Sequence, residues 1–171
     1  MTYIQHYSSP LGDILLAADE VGLTGLWFAG QKYFARGLAA DPMEQETPVL
    51  AQTKRWLDIY FTGKEPDFLP PLHPLGSAFR RRVWDMLLEI PYGKTATYGE
   101  IAKGLGISGA QAVGGAVGHN GISILIPCHR VVGANGSLTG YAGGVERKVK
   151  LLELEHADMT GLFVPKKGTA L

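Results

Sequence analysis

Residues 97–117 read TYGEIAKGLGISGAQAVGGAV, which is two short helical patterns joined by a glycine-containing turn. The first pattern covers 97–105 and begins at Thr97, and the second covers 108–117 and begins at Ser108. Threonine and serine are both good N-cap residues. Because the connection between the patterns is short and glycine-rich, the stretch predicts a helix-turn-helix.

The second of these helices has almost no side-chain bulk. Residues 109–116 are glycine and alanine with one glutamine and one valine. A helix this slim can enter a narrow groove of a partner molecule, or it can pack closely against another backbone. Composition alone favours the packing interpretation.

The N-terminal part of the chain predicts an antiparallel sheet with one helix. Alternating segments separated by turn residues predict three strands, over 2–7, 14–18 and 23–28. A helix is predicted from Thr47, with Pro48 in its first position and Gly63 just beyond its end. We expect this helix to pack on the sheet.

Prolines are concentrated in residues 66–76, a stiff stretch that resists both helix and sheet. We predict four parts around it: an N-terminal α/β lobe over 1–70, a linker over 71–76, a second domain over 77–160 and a tail over 161–171. Besides the helix-turn-helix, the second domain has a helix that starts at Ser77 and a last helix around 145–155. The predicted fold class is α+β.

Composition and charge limit the possible function classes. A hydrophobic content of 46% and a charged content of 19% are those of a folded chain, and no run approaches the roughly 18 apolar residues of a membrane span. The N-terminus has no secretion signal, so we expect a cytoplasmic protein. The net charge is zero, but it is −4 over 1–75, +5 over 76–150 and −1 over 151–171. Because the middle segment is basic, the charge pattern does not exclude a nucleic acid as the partner.

The chain has one cysteine, Cys128, followed directly by His129. One cysteine forms no internal disulfide, and the five histidines show no zinc-ligand spacing, so neither a metal nor a cofactor is predicted. Cysteine reacts as the thiolate, and an adjacent histidine poised by a carboxylate is a common way to form it. Taken alone the pair favours a structural role, since strand neighbours point to opposite faces and a lone cysteine is usually a small buried hydrophobe.

The surroundings of this pair are more specific. Residues 120–131, NGISILIPCHRV, resemble the active-site segment of the methylated-DNA:protein-cysteine methyltransferases, also called alkylguanine-DNA alkyltransferases. The likeness runs from about residue 79 to residue 155 in matching order and spacing, through PYGKTATYGE at 91–100, AVGGA at 112–116 and GYAGG at 140–144. It implies a ribonuclease H-like N-terminal lobe and a winged-helix-like C-terminal lobe.

The resemblance implies a DNA repair reaction. An alkyl group would move from O6 of guanine in double-stranded DNA to Cys128, irreversibly and once per molecule, with the base flipped out. O4 of alkylated thymine is a second candidate substrate. His129 would activate the cysteine through a water, Glu155 would orient the histidine, and Tyr98 would donate a proton to the leaving base. Asn120 would support the turn that holds the Cys-His segment.

The resemblance also implies contacts with the base and with the DNA. The guanine would be read by the backbone around four residues: Val131, Tyr141, Ala142 and Gly143. The DNA would be contacted by a second set: Thr97, Tyr98, Ala110, Gln111, Arg130 and Lys148. Gln111 departs from the family, which usually has arginine there to fill the gap left by the flipped base. Gly121 departs as well, since the family commonly has proline at that position.

Two other function classes stay open. One is a protein that binds alkylguanine lesions without transferring anything, although relatives with that role lack the cysteine. The other is a cysteine hydrolase, which needs an oxyanion hole that nothing in the sequence suggests. For the alkyltransferase we expect a monomer that acts on DNA without a cofactor and without a membrane.

Overall fold

The computed structural model describes residues 1–165 and divides into two compact units. The first unit consists of Met1–Leu75 together with Gly121–Ser123. The second consists of Gly76–Asn120 together with the chain from Ile124 onward. Each unit has its own buried core.

The boundary between the units falls near the end of the predicted linker. Most of the segment 71–76 lies in the first unit, because the backbone nitrogen of Leu23 donates to the Pro71 oxygen at 2.8 Å and that of His73 donates to the Leu23 oxygen at 2.7 Å. Of the predicted tail, residues 166–171 lie outside the described residues. The part before them is hydrogen-bonded to the second unit through Phe163, whose oxygen accepts from the Leu138 nitrogen at 2.8 Å.

The first unit is built on a four-stranded sheet. Its strands are β1 (Tyr3–Ser9), β2 (Gly12–Ala18), β3 (Leu23–Phe28) and β4 (Met43–Glu44). They lie in the order β3-β2-β1-β4, with β2 antiparallel to both neighbours and β4 parallel to β1. The predicted antiparallel sheet is confirmed. The short β4 was not predicted, since two exposed residues give no alternation of apolar and polar side chains.

Helix α1 (Pro48–Tyr60) covers this sheet as predicted. The Thr47 hydroxyl accepts from the Leu50 backbone nitrogen at 3.3 Å, which caps the helix. The buried residues of α1 recur at helical spacing, and the helix lies against β1, β2 and β3. The local cap and the apolar face therefore specify the same helix.

Residues 121–123 pair with β3 inside the first unit. The Leu26 backbone nitrogen donates to the Gly121 oxygen at 2.8 Å, and the Ser123 nitrogen donates to the Leu26 oxygen at 3.2 Å. A Cβ built on Gly121 would have its nearest neighbour at 3.9 Å. Lack of space therefore does not explain the glycine at this position.

The second unit is mainly helical. Its helices are α2 (Ala78–Leu88), α3 (Tyr98–Gly104), α4 (Gln111–Gly118) and α5 (Val145–Leu154), and its two short parallel strands are β5 (Ala96–Thr97) and β6 (Val131–Val132). Helix α4 packs on α2 and α3, and the Trp84 ring nitrogen donates to the Ala116 oxygen at 2.8 Å. The pair α3–α4 forms the predicted helix-turn-helix, and the predicted α+β class is confirmed. Within residues 1–165, no helix has the length and apolarity to cross a membrane.

The start of α4 differs from the prediction. We expected Ser108 to cap this helix, but the helix begins at Gln111 and is preceded by Ala110, which makes no side-chain cap. Gly106 and Gly109 have φ angles of 71° and 82°. These left-handed conformations, which glycine adopts at little cost, extend the turn past the serine.

Candidate active site

Cys128 lies in a 3-10 turn and not on a strand. The turn, Cys128–Arg130, follows Pro127, and the Cys128 backbone nitrogen donates to the Ile126 oxygen at 2.8 Å. On a strand, Cys128 and His129 would point to opposite faces. In a 3-10 turn consecutive side chains are about 120° apart, so both can serve one site. The exposed fractions of the two residues are 4% and 0%.

Asn120 holds the segment that leads to the cysteine. Its amide nitrogen donates to the Ile126 oxygen at 2.8 Å and to Sγ of Cys128 at 3.2 Å. Within this segment Ile124 has a φ of 71°, a costly conformation for a β-branched residue. The amide therefore contacts both a strained loop and the sulfur at its end.

His129 and Glu155 form a buried pair. Nε2 of the histidine lies 2.6 Å from Oε2 of Glu155, and Nε of Arg130 donates to Oε1 at 2.8 Å. Burial alone would raise the pKa of Glu155, but the hydrogen bonds and charges of His129 and Arg130 lower that pKa to about 2. Glu155 is therefore an anion that can only accept, so Nε2 carries the histidine proton.

The other histidine nitrogen is the basic one. Burial lowers the pKa of His129 against the opposing effect of Glu155, which favours a neutral imidazole. With the proton on Nε2, Nδ1 presents a lone pair, and this atom is buried with no hydrogen-bond partner among the described residues. Burial raises the pKa of the Cys128 thiol, so a thiolate forms only with help from its surroundings.

Tyr98 brings a hydroxyl to the same site. It is the first residue of α3, and its hydroxyl donates to the Thr139 oxygen at 3.0 Å. Burial, together with the charge of a Cys128 thiolate, raises the pKa of Tyr98 to about 12. The hydroxyl therefore stays protonated as a donor. A Cβ built on Gly140, whose φ is 80°, would lie 2.5 Å from this hydroxyl, so a glycine is required there.

Lys148 and Arg130 do not lie where we predicted, which was at the DNA. Lys148 is fully buried, and its Nζ donates to the Val131 oxygen at 2.5 Å and to the Thr139 oxygen at 2.7 Å. Arg130 is also buried, and its Nη1 donates to the Ile90 oxygen at 2.7 Å. Because protein acceptors occupy these donors away from solvent, neither residue is available to a phosphate. The predicted phosphate contacts of both are corrected.

The four predicted base-contact residues fall on two segments, β6 and the glycine-rich loop before α5. Val131, Tyr141 and Gly143 are buried, and Ala142 is half-buried. A Cβ built on Gly143 would lie 2.5 Å from the Tyr141 ring, which itself packs edge-on against the His129 imidazole. Tyr141, one of the four predicted base-contact residues, therefore adjoins the histidine.

The remaining predicted DNA contacts lie on or beside the helix-turn-helix. Gln111 is exposed as the first residue of α4, and the half-buried Ala110 precedes it. The Thr97 hydroxyl caps α3 by accepting from the Glu100 backbone nitrogen at 3.0 Å. Of these residues, Gln111 has the side chain that is most open to a partner.

The small residues of α4 are not explained by close packing. A Cβ built on Gly114 or on Gly115 would meet nothing within 4 Å. The opposite face of the helix does pack, with Val113, Ala116 and Val117 buried. The interpretation that this helix is slim because it approaches another backbone is therefore wrong at these two glycines.

Two carbonyl groups of the site could not be found from the sequence. The Thr139 oxygen accepts from two side chains and the Ile90 oxygen from one, and a backbone acceptor does not depend on the residue type. The burial of Lys148 did have a sequence signal. Lys148 precedes Leu151 by three residues and Glu155 by seven, so helical spacing places it on the buried face of α5.

Two protein-family models match this chain. The model described as 6-O-methylguanine DNA methyltransferase, ribonuclease-like domain, matches residues 2–74. The model described as 6-O-methylguanine DNA methyltransferase, DNA binding domain, matches residues 78–157. The two matches together cover nearly all of the described chain.

Individual proteins are similar over the same length. The methylated-DNA–protein-cysteine methyltransferase of Mycobacterium leprae is 43% identical over 164 residues, which covers 95% of this chain and 98% of the relative. That of Methanosarcina acetivorans is 46% identical over 155 residues, which covers 90% of this chain and 97% of the relative. The crystal structure of Mycobacterium tuberculosis OGT in complex with DNA matches with a TM-score of 0.80 and 41% identity, covering 90% of this chain and 92% of that one.

Proposed function

Because the chain belongs to the 6-O-methylguanine DNA methyltransferase family, we propose that Cys128 accepts an alkyl group from O6 of guanine. The protein repairs DNA by this transfer, and its activity is that of a methylated-DNA–protein-cysteine methyltransferase. One observation carries the assignment of the residue. The single cysteine adjoins a buried imidazole whose Nε2 is held by Glu155 and whose Nδ1 has no partner among the described residues.

The proposed reaction is an in-line displacement at the alkyl carbon. The thiol proton of Cys128 passes through a water to Nδ1 of His129, and Glu155 stabilises the imidazolium. The sulfur then attacks the alkyl carbon, so that a carbon–sulfur bond forms as the carbon–oxygen bond breaks. The electron pair of the broken bond stays on the guanine, whose ring nitrogen takes a proton from the Tyr98 hydroxyl. The proton on His129 restores the tyrosine through solvent.

The product explains why each molecule reacts once. Cys128 ends as a thioether, which has no bond that water cleaves readily. The guanine leaves unmodified, and no step restores the thiol. The protein is therefore consumed in stoichiometric amounts.

Tyr98 must change its acceptor during the reaction. In the structure its hydroxyl donates to the Thr139 oxygen, which also accepts from Lys148. When the hydroxyl turns to the base, Lys148 keeps that carbonyl hydrogen-bonded. An unpaired buried carbonyl would cost about 1–3 kcal/mol, and this arrangement avoids the cost.

The alkylated base reaches a buried sulfur only if it leaves the duplex. We propose that double-stranded DNA binds at the helix-turn-helix, with the exposed glycine face of α4 in the minor groove, and that the base is flipped into the site. The backbone of β6 and of the glycine-rich loop would then read the guanine edge. Asn120 would hold the cysteine segment while the base enters.

Mass spectrometry of the intact protein tests the proposed function. After mixing with a duplex that carries one O6-methylguanine, we expect each molecule to gain one methyl group, and peptide mapping to locate it on Cys128. An unmodified duplex should give no gain. A lesion-binding protein would bind the duplex without gaining mass, and a hydrolase would turn over without a lasting adduct. Either result would overturn the proposal.

Gln111 is proposed to fill the gap left by the flipped base. Because unstacking a base costs a few kcal/mol, Gln111→Ala should slow transfer from duplex DNA by about tenfold while leaving transfer from free O6-benzylguanine unchanged. Gln111→Arg should raise duplex affinity and its dependence on salt, since it adds a cation near the phosphates. The measurement is the ratio of the duplex rate to the free-base rate in the three proteins. Equal ratios would remove position 111 from base flipping.

We also propose that the protein acts as a monomer in the cytoplasm. Every proposed catalytic residue comes from the second unit of a single chain, so a second copy is not needed to complete the site. The substrate, DNA, is found inside the cell. Sedimentation analysis of the protein, alone and on a short duplex, tests the first statement.

A further inference from the structure

Arg130 lies where three segments of the second unit meet. Its Nε donates to Oε1 of Glu155, at the end of α5, at 2.8 Å. Its Nη1 donates to the Ile90 oxygen, just after α2, at 2.7 Å, and its guanidinium lies over the Tyr92 ring, 5.8 Å from the ring centre. The arginine itself ends the 3-10 turn that begins at Cys128. Its side chain is therefore held by contacts with two other segments.

The backbone of Glu155 is held close to the turn that follows α2. Gly93 in that turn has a φ of 79°, and a Cβ built on it would lie 3.0 Å from the Glu155 backbone oxygen. Glycine at this position therefore lets the turn approach the end of α5 closely. Arg130 spans the same contact, since it donates both to the Glu155 carboxylate and to the Ile90 oxygen. The carboxylate is thus fixed at its backbone and at one of its oxygens.

The two oxygens of Glu155 are divided between two partners. Oε1 accepts from Arg130, and Oε2 lies 2.6 Å from Nε2 of His129. If the histidine were its only partner, a buried carboxylate would favour an imidazolium, because the two opposite charges would stabilise each other. With Arg130 as the cation, the three groups are neutral overall when the imidazole is neutral. A neutral imidazole is the form that can take up a proton from Cys128.

We propose that Arg130 is a positioning residue that holds the Glu155 carboxylate and supplies its counter-charge, so that His129 rests as a neutral base. This inference rests on the proposed function, in which His129 receives the thiol proton of Cys128. Arg130 acts through Glu155 and exchanges no proton in the reaction. The histidine is then oriented by an anion without being protonated by the pairing.

The charges around His129 agree with this role. The titratable groups that bind it, adjoin it or act on it by charge come from three segments: Glu155 and Lys148 on α5 and at its end, Cys128 and Arg130 on its own turn, and Tyr141 on the glycine-rich loop. Burial lowers the pKa of His129, Glu155 opposes this effect, and the charges of Arg130 and Lys148 add to it. Lys148 donates to two neutral carbonyls, whereas Arg130 donates to Glu155 itself.

Arg130→Gln tests the proposal, since it removes the charge and keeps a hydrogen-bond donor. In protein labelled at the histidine ε1 carbon, NMR follows the titration of His129, whose signal is identified by its absence from His129→Gln. We expect the pKa of His129 to rise by about one unit or more, because the imidazole becomes the main charged partner of the carboxylate. Transfer from free O6-benzylguanine should fall about tenfold on the acidic side of its pH profile, and the loss should disappear as the pH rises.

Two control variants separate charge from packing. Arg130→Lys keeps the charge and should bring the His129 titration most of the way back to that of the wild type. Arg81→Gln makes the same change at an exposed arginine of α2 and should behave as the wild type. A folded Arg130→Gln with an unchanged His129 titration would overturn the proposal, even if it transferred more slowly at every pH. That result would leave Arg130 with a packing role.

A double variant tests whether Arg130 acts through Glu155, and it covers the case in which Arg130→Gln does not fold. Arg130→Gln combined with Glu155→Gln leaves neither member of the ion pair as an uncompensated buried charge, so it should resist denaturant better than either single variant. Since Arg130 acts through Glu155, the double variant should transfer no more slowly than Glu155→Gln alone. A further tenfold loss in the double variant would overturn the proposal.

The histidine titration does not require alkyl transfer, so it separates this inference from the proposed function. In the wild type at pH 7, the nitrogen shifts of His129 should show a neutral ring with its proton on Nε2. An imidazolium there would overturn the inference and leave the proposed function standing. A duplex with O6-methylguanine that added no methyl group to a protein with the expected titration would instead overturn the proposed function.

Discussion

Cys128→Ser should abolish alkyl transfer and leave the fold and the binding of duplex DNA in place. A serine hydroxyl is far harder to ionise than a thiol and is a much weaker nucleophile. We expect the transfer rate to fall by at least about a thousandfold, which is about 4 kcal/mol in the barrier. The measurement is single-turnover transfer from a duplex with one O6-methylguanine, followed by mass spectrometry.

The structure indicates that this variant will fold. A serine at this position can accept from the Asn120 amide, so its hydroxyl is not left unpaired. Cys128→Ala, which removes both the sulfur and its hydrogen bonds, is the matched control. Both variants should bind the duplex as the wild type does. Transfer by Cys128→Ser at a rate near that of the wild type would place the acceptor on another residue.

Glu155→Gln should damage both chemistry and stability. The amide cannot stabilise an imidazolium at His129, so transfer should slow by about a hundredfold or more. The substitution also leaves the buried Arg130 without its anion, and removing one partner of a buried ion pair should lower the free energy of unfolding by roughly 3 kcal/mol. Denaturant unfolding and single-turnover transfer measure the two effects separately.

The stability effect of Glu155 should depend on pH in a defined direction. The pKa of this carboxyl is about 2 in the folded protein, below its ordinary value of 4.5. Its stabilising contribution is therefore fully present above the ordinary value and is lost as the pH falls toward 2. The difference in unfolding free energy between the wild type and Glu155→Gln should shrink over that range.

The neighbouring glutamate supplies the control for this experiment. Glu153 lies in the last turn of α5, just before Glu155, and is exposed, so Glu153→Gln should leave stability and transfer nearly unchanged at every pH. If Glu155→Gln had the same stability and transfer rate as Glu153→Gln, the contacts of Glu155 with His129 and Arg130 would contribute to neither property, contrary to what the geometry indicates.

Local patterns in the sequence predicted most of the secondary structure. The three long strands and the helices α1, α2 and α3 begin at caps or turns formed by neighbouring residues, and their apolar faces repeat at the period of the element. The start of α4 shows the limit of such patterns. Ser108 has the residue type of a cap, but the left-handed turn at Gly109 places the first helical residue beyond it.

The proposed alkyl acceptor was also indicated by the sequence, through the segment around Cys128 and its likeness to a known family. That likeness implied a role for Glu155, which lies 26 residues from His129 along the chain and adjoins it in space. The same likeness led to a wrong prediction for Arg130 and Lys148, which were expected at the DNA and are buried. A basic side chain is usually solvated, and nothing in its own residue type tells whether acceptors in the fold have enclosed it.

The sequence by itself therefore predicted the fold class, and its likeness to a known family indicated Cys128 as the proposed nucleophile, because both depend on local patterns of residues along the chain. The tertiary structure alone decided which atoms Lys148 and Arg130 contact and that residues 121–123 join the first unit. It also decided that the glycine face of α4 is open. These features arise from backbone carbonyls and open space contributed by distant segments. The residue type at a position tells neither what its carbonyl oxygen accepts from nor how much space surrounds it, so these features can be learned only from the folded structure.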